Sequence, residues 1–227
     1  MALVLGVTGS IATGKSLLCR HLAERHGAVH GDADRIVHRM FDPGKPGFYN
    51  AVKQFGDRIV GEDGYIDRRK VGAIVFGNPE AMARWTTAIG DIAAEMKETI
   101  DRWHAELPQD GLAVLEAVNL IEAGYCVWCD GTWLVAAEDG MARARLMERN
   151  RFTLDEANQR LASARDWRLR EPASDRVFHN NGSLHDFLAA IDGAMAQTRA
   201  QFKAGTLPRP RYFAWSAKHK KDGAVQA

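Results

Sequence analysis

The sequence predicts a three-layer α/β/α fold around a parallel five-stranded sheet. Three observations carry that expectation. The apolar run Ala2–Val7 leads at once into the glycine-rich stretch GVTGSIATGKS, residues 6–16. Short apolar runs and helix-like patterns then alternate along the chain, which requires crossover connections and a sheet covered on both faces. The 227 residues, 46% hydrophobic, suit one α/β domain with an insertion, or two small lobes.

The elements follow in order. Residues 2–7 read as a short buried strand. Residues 15–26 read as a helix with Leu18 and Leu22 on one face, stopped by His26-Gly27. AVHGDAD gives a brief second strand ending at acidic residues. Helical patterns occupy 34–41, 45–55 and 67–76, separated by turns that contain Pro and Gly. Residues 79–105 read as one long helix, with Met82, Trp85, Ile89, Ile92, Met96, Ile100 and Trp103 in an apolar stripe. LAVLEAV (112–118) and TWLVAA (132–137) read as strands, and helices follow at 139–150 and 153–168. Thr153 and Glu156 have the spacing of a capping box. RVFHN (176–180) is the fifth strand and 183–203 the last helix. Residues 206–227 form a basic tail without periodicity, expected to be loosely docked and solvated. Its Tyr212, Phe213 and Trp215 leave contact with a nucleic acid or another partner as the alternative.

Composition narrows the function. A formal charge of +1 argues against a broad nucleic-acid footprint. No run is apolar enough to span a membrane, and residues 2–7 have a strand pattern rather than that of a signal peptide, so the cytoplasm is expected. Three cysteines make no disulfide framework. Cys126 and Cys129 form a CxxC with no second ligand pair nearby, so they are expected to be ordinary reduced cysteines.

Gly9-Ser10-Ile11-Ala12-Thr13-Gly14-Lys15-Ser16 satisfies the phosphate-loop (P-loop) pattern in its proper setting, strand before and helix after. Such a loop turns backbone N–H groups inward around phosphate oxygens, and the helix adds its positive dipole end. Lys15 places a mobile charge at the β- and γ-phosphates, and Ser16 offers a hydroxyl to Mg2+. ATP or GTP is therefore the expected ligand. An Asn-Lys-x-Asp base-reading motif of GTPases is absent. The chain's length favours a small-molecule kinase, which needs an acceptor site, a catalytic carboxylate and an arginine-rich lid.

Each of those parts has candidates. Asp32 and Asp34 stand just past the second strand, where an open parallel sheet presents its ligand crevice. Asp32 is the expected base toward an alcohol, with Asp34 nearer a helix-capping role. Glu116 comes late in the third strand, either holding Mg2+ through water or serving as an ordinary polar strand end. Arg145 and Arg149 are four apart on one helix face. They either close over ATP and neutralise the transferring phosphoryl group or belong to a solvated charged helix pair.

From about residue 3 to residue 192 the chain resembles the bacterial dephospho-CoA kinases. The likeness runs through GVTGSIATGKS, GDADRIVHRM, FGDRIVGEDGYIDRRKVGAIVFGNPEA, VLEAVNLIEAG, CDGTWLVAA, RARLMERNRFTLDEANQRL and SDRVFHNNGS. The block Gly64–Arg68 is its most family-specific part. The resemblance implies ATP-dependent phosphorylation of the ribose 3′-hydroxyl of dephospho-CoA. It implies a P-loop kinase domain over 1–205, with a core at 1–40, 110–138 and 172–205. The same likeness assigns an acceptor-binding helical region to about 41–109 and a lid to about 139–171. Asp32 matches the catalytic aspartate, Lys15 and Ser16 the nucleotide and Mg2+ residues, and Arg145 and Arg149 the lid arginines. Asn180 matches a segment close to the adenine. The chain departs from the family pattern at Ser10 and Ala12, where glycines are usual, and at Gly90-Asp91, where His-Pro is usual. It departs again at Val118-Asn119-Leu120, in place of PLL, and at Ala164, in place of Gln. Two other readings accompany this one: a P-loop kinase of another nucleotide-like or small-metabolite alcohol, and a nucleotide-binding protein without turnover.

Overall fold

Buried parallel strands are apolar on both faces, and the three inner runs of this chain, residues 3–8, 112–116 and 131–136, are buried throughout, while the two edge strands are partly exposed. The computed structural model describes residues 1–219. Strand β1 (Leu3–Thr8) leads through the glycine-rich loop to helix α1 (Lys15–His26), β2 (Val29–Asp32) and α2 (Ala33–Met40). Helices α3 (Pro46–Phe55), α4 (Arg68–Val75), α5 (Pro79–Ile89) and α6 (Ile92–Glu106) come next. The chain continues through β3 (Leu112–Glu116), β4 (Gly131–Ala136), α7 (Asp139–Asn150) and α8 (Leu154–Ala162). It then forms β5 (Arg176–His179), α9 (Leu184–Lys203) and α10 (Arg211–His219).

The chain divides into two compact units: Met1–Asp32 together with the chain from Thr99 onward, and Ala33–Glu98. The first holds the sheet, in order β2-β3-β1-β4-β5, with every pair parallel. β1 is central, and successive strands are added first on one side of it and then on the other. The crevice for a ligand is expected at that switch point, beyond the carboxyl ends of the strands. Leu3, Leu5 and Val7 point to one face and pack with Leu18 and Leu22 of α1 and Ile191 and Met195 of α9. On the opposite face, Leu134 and Ala136 pack with Trp167.

The second unit has its own core, built from Phe41, Phe55, Ile59, Ile66, Val71, Val75 and Ile89. Trp85 meets Phe41 and Phe55 edge-on, with centroids 5.3 and 6.1 Å apart. Asp67 caps α4 by accepting from the Arg69 and Lys70 backbone N–H groups. These short helices start at clear signals: Pro46 opens α3, while Asn78 caps α5 ahead of Pro79.

Three expectations need correction. The single helix over 79–105 is two helices. Gly90, at φ 107° and ψ −169°, ends α5, and the Asp91 carboxylate accepts from Ala94 N–H at 3.0 Å to start α6. The apolar stripe runs across the break, with Ile89, Met96, Ile100 and Trp103 buried and Met82 exposed. The helix over 153–168 stops at Ala162; residues 163–166 are turn and loop, and 3-10 turns follow at Trp167–Leu169 and Glu171–Ala173. Its start stands as read: Thr153 and Glu156 form the reciprocal capping box.

The third correction concerns the expected loose tail, which contains α10. That helix packs on β4 and on the turns at 125–128 and 171–173. Tyr212 is 1% exposed, Trp215 stacks on His219 at 4.6 Å, and the Arg209 guanidinium lies 4.7 Å from the Phe213 ring. The aromatic residues are thus engaged in packing. Residues 220–227 of the expected tail lie outside the described residues. Tyr212→Ala is expected to cost about 3 kcal/mol of unfolding free energy, as for other large buried rings. Tyr212→Phe should cost under about 1 kcal/mol, since the Tyr212 hydroxyl has no hydrogen-bond partner among the described residues. Urea unfolding of the two variants distinguishes a docked helix from a dispensable one.

Cys19, Cys126 and Cys129 are all free and buried. Burial pushes the Cys126 thiol up to about 12 and the Cys129 and Cys19 thiols well above the ordinary value. No helix among the described residues is long and apolar enough to cross a membrane.

Candidate active site

The loop between β1 and α1 is held from within. Gly9 follows β1 directly. Thr13 Oγ1 donates to Ser10 O at 3.0 Å, and Lys15 Nζ curls back to the same carbonyl at 3.4 Å. Ser10 Oγ donates to Arg165 O at 2.6 Å. Ile11 lies at the loop's outer turn, half-buried. Gly14 caps α1 at φ 107°, and a Cβ there would stand 2.4 Å from Asn180 Nδ2. Backbone conformation and the Asn180 contact both demand glycine at that position. Ala12 is left-handed, at φ 59°, a conformation that costs an L-residue about 1 kcal/mol. The glycine usual there in the resembling family fits this geometry without strain.

Strand register brings the carboxylates together. Asp32 is the Cα partner of Glu116, and Glu116 is the partner of Val7, the residue two before Gly9. Asp32 and Glu116 therefore end adjacent strands level with the start of the loop. Asp32 is half-buried and immediately precedes α2.

Glu116 is 7% exposed. Its Oε1 accepts from Ser16 Oγ at 2.6 Å, and its Oε2 pairs with His30 Nε2 at 3.0 Å. Burial pushes its carboxyl up, but the His30 and Ser16 hydrogen bonds and the Lys15 charge outweigh that and hold it below the ordinary value. The stability this provides is present above the unfolded glutamate pKa and is lost as pH falls through the lowered folded one. Glu116→Gln removes that dependence. The melting temperature of the variant should fall less steeply on acidification than that of the native protein; parallel profiles would contradict the assignment.

Arg145 of the arginine-rich helix reaches the loop. Arg145 Nη2 donates to Asn180 O at 2.8 Å and to Asn180 Oδ1 at 3.2 Å, and Nη1 reaches Ala12 O at 3.5 Å. Asn180 Nδ2 in turn donates to Thr13 O at 2.9 Å. Arg149 is exposed, bonds Asn150 Oδ1 at 3.0 Å, and lines the same cavity as Arg145. That cavity, about 460 Å³, is lined by Lys15, Ser16, Arg20, Arg145, Glu148 and Arg149. Four cations against one carboxylate, beside a helix N-terminus, leave an excess of positive charge of the kind that suits a polyanion.

Two residues of this region, Arg170 and His30, escaped the sequence reading. Arg170 is 2% exposed, pairs with Glu122 Oε1 at 2.8 Å, and reaches Ser10 Oγ at 3.4 Å. It sits in an irregular charged stretch with no period to single it out. His30 carried a usable signal, being two residues before Asp32 on a strand and hence on the same face.

The family model described as dephospho-CoA kinase matches residues 3–186. A protein of Symbiobacterium thermophilum named dephospho-CoA kinase is 33% identical over 192 residues, covering 84% of this chain and 79% of the relative. One of Shouchella clausii with the same name is 30% identical over 197 residues, covering 86% and 98%. Among solved structures, a crystal structure of a Thermus thermophilus protein superposes with a TM-score of 0.70 at 25% identity, covering 86% of this chain and 97% of that one.

Proposed function

The chain belongs to the dephospho-CoA kinase family, and from that premise we propose how its own residues carry out the transfer. The reaction moves the γ-phosphoryl group of ATP to the ribose 3′-hydroxyl of dephospho-CoA, giving coenzyme A and ADP. The observation that carries the residue assignment is the meeting of the loop, the Ser16–Glu116 pair and Asp32 at the carboxyl edge of the sheet.

In this reading the amides of residues 9–14 and the Lys15 ammonium bind the polyphosphate. Ser16 and Glu116 are two hard oxygen donors 2.6 Å apart with the carboxylate held ionised, a pair that suits Mg2+. When bound, that ion would supply charge neutralisation to the polyphosphate. Asp32 accepts the acceptor's hydroxyl proton as its oxygen bonds to phosphorus and ADP leaves. Arg145, fixed through Asn180 against the loop, and Arg149 neutralise charge on the transferring group and help exclude water. Asn180 belongs to the nucleotide side of the site. Segment 139–171 is the proposed lid.

The acceptor is assigned to the helical region at about 41–109. Within the Ala33–Glu98 unit, a groove of about 840 Å³ combines Phe41, Phe76 and Trp85 with Arg68 and Arg69. Apolar walls beside two guanidinium groups suit an acceptor with both an aliphatic arm and phosphates. A cytoplasmic setting accords with soluble nucleotide substrates. ADP release measured with and without dephospho-CoA is the test: strong stimulation is expected. Stimulation only by a different alcohol would reassign the acceptor, and ATP binding without any release would make the chain a nucleotide binder.

A further inference from the structure

Away from the phosphate loop, the far end of α1 carries a second cluster. His21 Nε2 and His26 Nε2 both approach Asp192 Oδ1 on α9, at 2.7 and 2.6 Å. The donor atoms of all three residues lie within 4.8 Å of one another. The imidazoles meet edge-on, with centroids 5.9 Å apart and planes at 71°, so their nitrogens converge on one point from different directions. The histidine side chains are 10% and 19% exposed, whereas that of Asp192 is 46% exposed. The cluster therefore has two buried walls and one side open to water.

We propose that His21, His26 and Asp192 form a binding site for a single divalent transition-metal ion, with Zn2+ the best-matched. Two neutral imidazoles and one carboxylate, with a water in the fourth position, are a tetrahedral zinc donor set. Nitrogen donors select such ions over Mg2+, so the site is chemically separate from the Ser16–Glu116 pair. Metal–donor distances of about 2.0–2.2 Å put tetrahedral donors roughly 3.3 Å apart, so the side chains must open by on the order of 0.6 Å. The half-exposed position of Asp192 gives that freedom. The surrounding backbone is already fixed: Arg199 of α9 donates to His26 O at 2.6 Å, and Leu18 and Leu22 share a core with Ile191 and Met195.

The bound ion would clip the last turn of α1 to the middle of α9. Because the first turn of α1 presents Lys15 and Ser16, the clip would tie the stability of the phosphate-binding helix to the sheet's outer layer. It touches no reacting atom, so its effect is on stability and not on the chemical step.

Full-length protein, stripped with a chelator and kept in excess Mg2+, tests the proposal by titration with Zn2+ against a chromophoric competitor. One equivalent is expected to bind and to raise the melting temperature. His26→Gln should weaken binding by about tenfold or more, and His21→Gln combined with His26→Gln should abolish both binding and the thermal shift. Asp192→Asn, at a half-exposed position, is the variant least prone to misfold and should also weaken binding. Co2+ in place of Zn2+ should give the visible bands of a tetrahedral centre in the native protein alone. Circular dichroism and Mg2+·ATP binding verify that each variant is folded. Absence of Zn2+ binding by the native protein overturns the site and leaves two histidines sharing a carboxylate by hydrogen bonds alone. Equal binding by the folded double variant also overturns it, placing the ion elsewhere, for instance at Cys19, His30 and Glu116.

Discussion

Replacing Lys15 by alanine is expected to lower phosphoryl transfer by about 10³-fold, the scale of losing a preorganised charge at a transition state. Two effects act together. The ammonium that faces the developing negative charge is gone. Glu116, whose carboxyl is kept ionised partly by Lys15, then presents its charge toward the phosphates without the nearby cation. The loop itself should survive, because Thr13 to Ser10 and Asn180 to Thr13 hydrogen bonds do not involve the lysine side chain. The measurement is kcat with dephospho-CoA as acceptor, alongside a direct ATP titration. A variant within about twofold of the native rate would end the assignment of Lys15 to the transferring phosphates.

Asp32→Asn should retain ATP affinity while turnover falls by about 10²–10⁴-fold, the range for losing a positioned general base. The change removes one charge and almost no volume, so the β2–β3 register that sets Asp32 beside Glu116 is expected to persist. Single-turnover kinetics separate the chemical step from binding. Unimpaired transfer in a variant that binds ATP normally would move proton acceptance to another group.

The inner strands β1, β3 and β4 were legible because they are buried in a parallel sheet and read as mainly apolar runs, whereas the edge strands β2 and β5 are short, mixed and partly exposed. The loop and α1 were legible for a different reason: glycine, lysine and serine at fixed spacing have few other uses. The position of Glu116 at a strand end followed from such a run, and that of Asp32 from the acidic stop after the brief AVHG segment. What remained hidden depends on partners distant along the chain. Arg170 is defined by Glu122, 48 residues away. Helix α10 is defined by the surfaces that bury Tyr212, and its nine residues are too few to announce a helix on their own. At Gly90 the hydrophobic period continued through a break that only the backbone reveals. For Arg145 and Arg149 the spacing defined a shared face, but the contact of Arg145 with Asn180 and Ala12 needed the fold.

The burial of all three thiols has a practical consequence. A thiol without access to solvent, and with its proton held tightly, reacts slowly with maleimides and alkylating probes. A single cysteine introduced on the surface of α7 or α4 would therefore take up a fluorophore or spin label with little background from the native residues. The native chain is already suited to reporting distances while nucleotide and acceptor are added in turn.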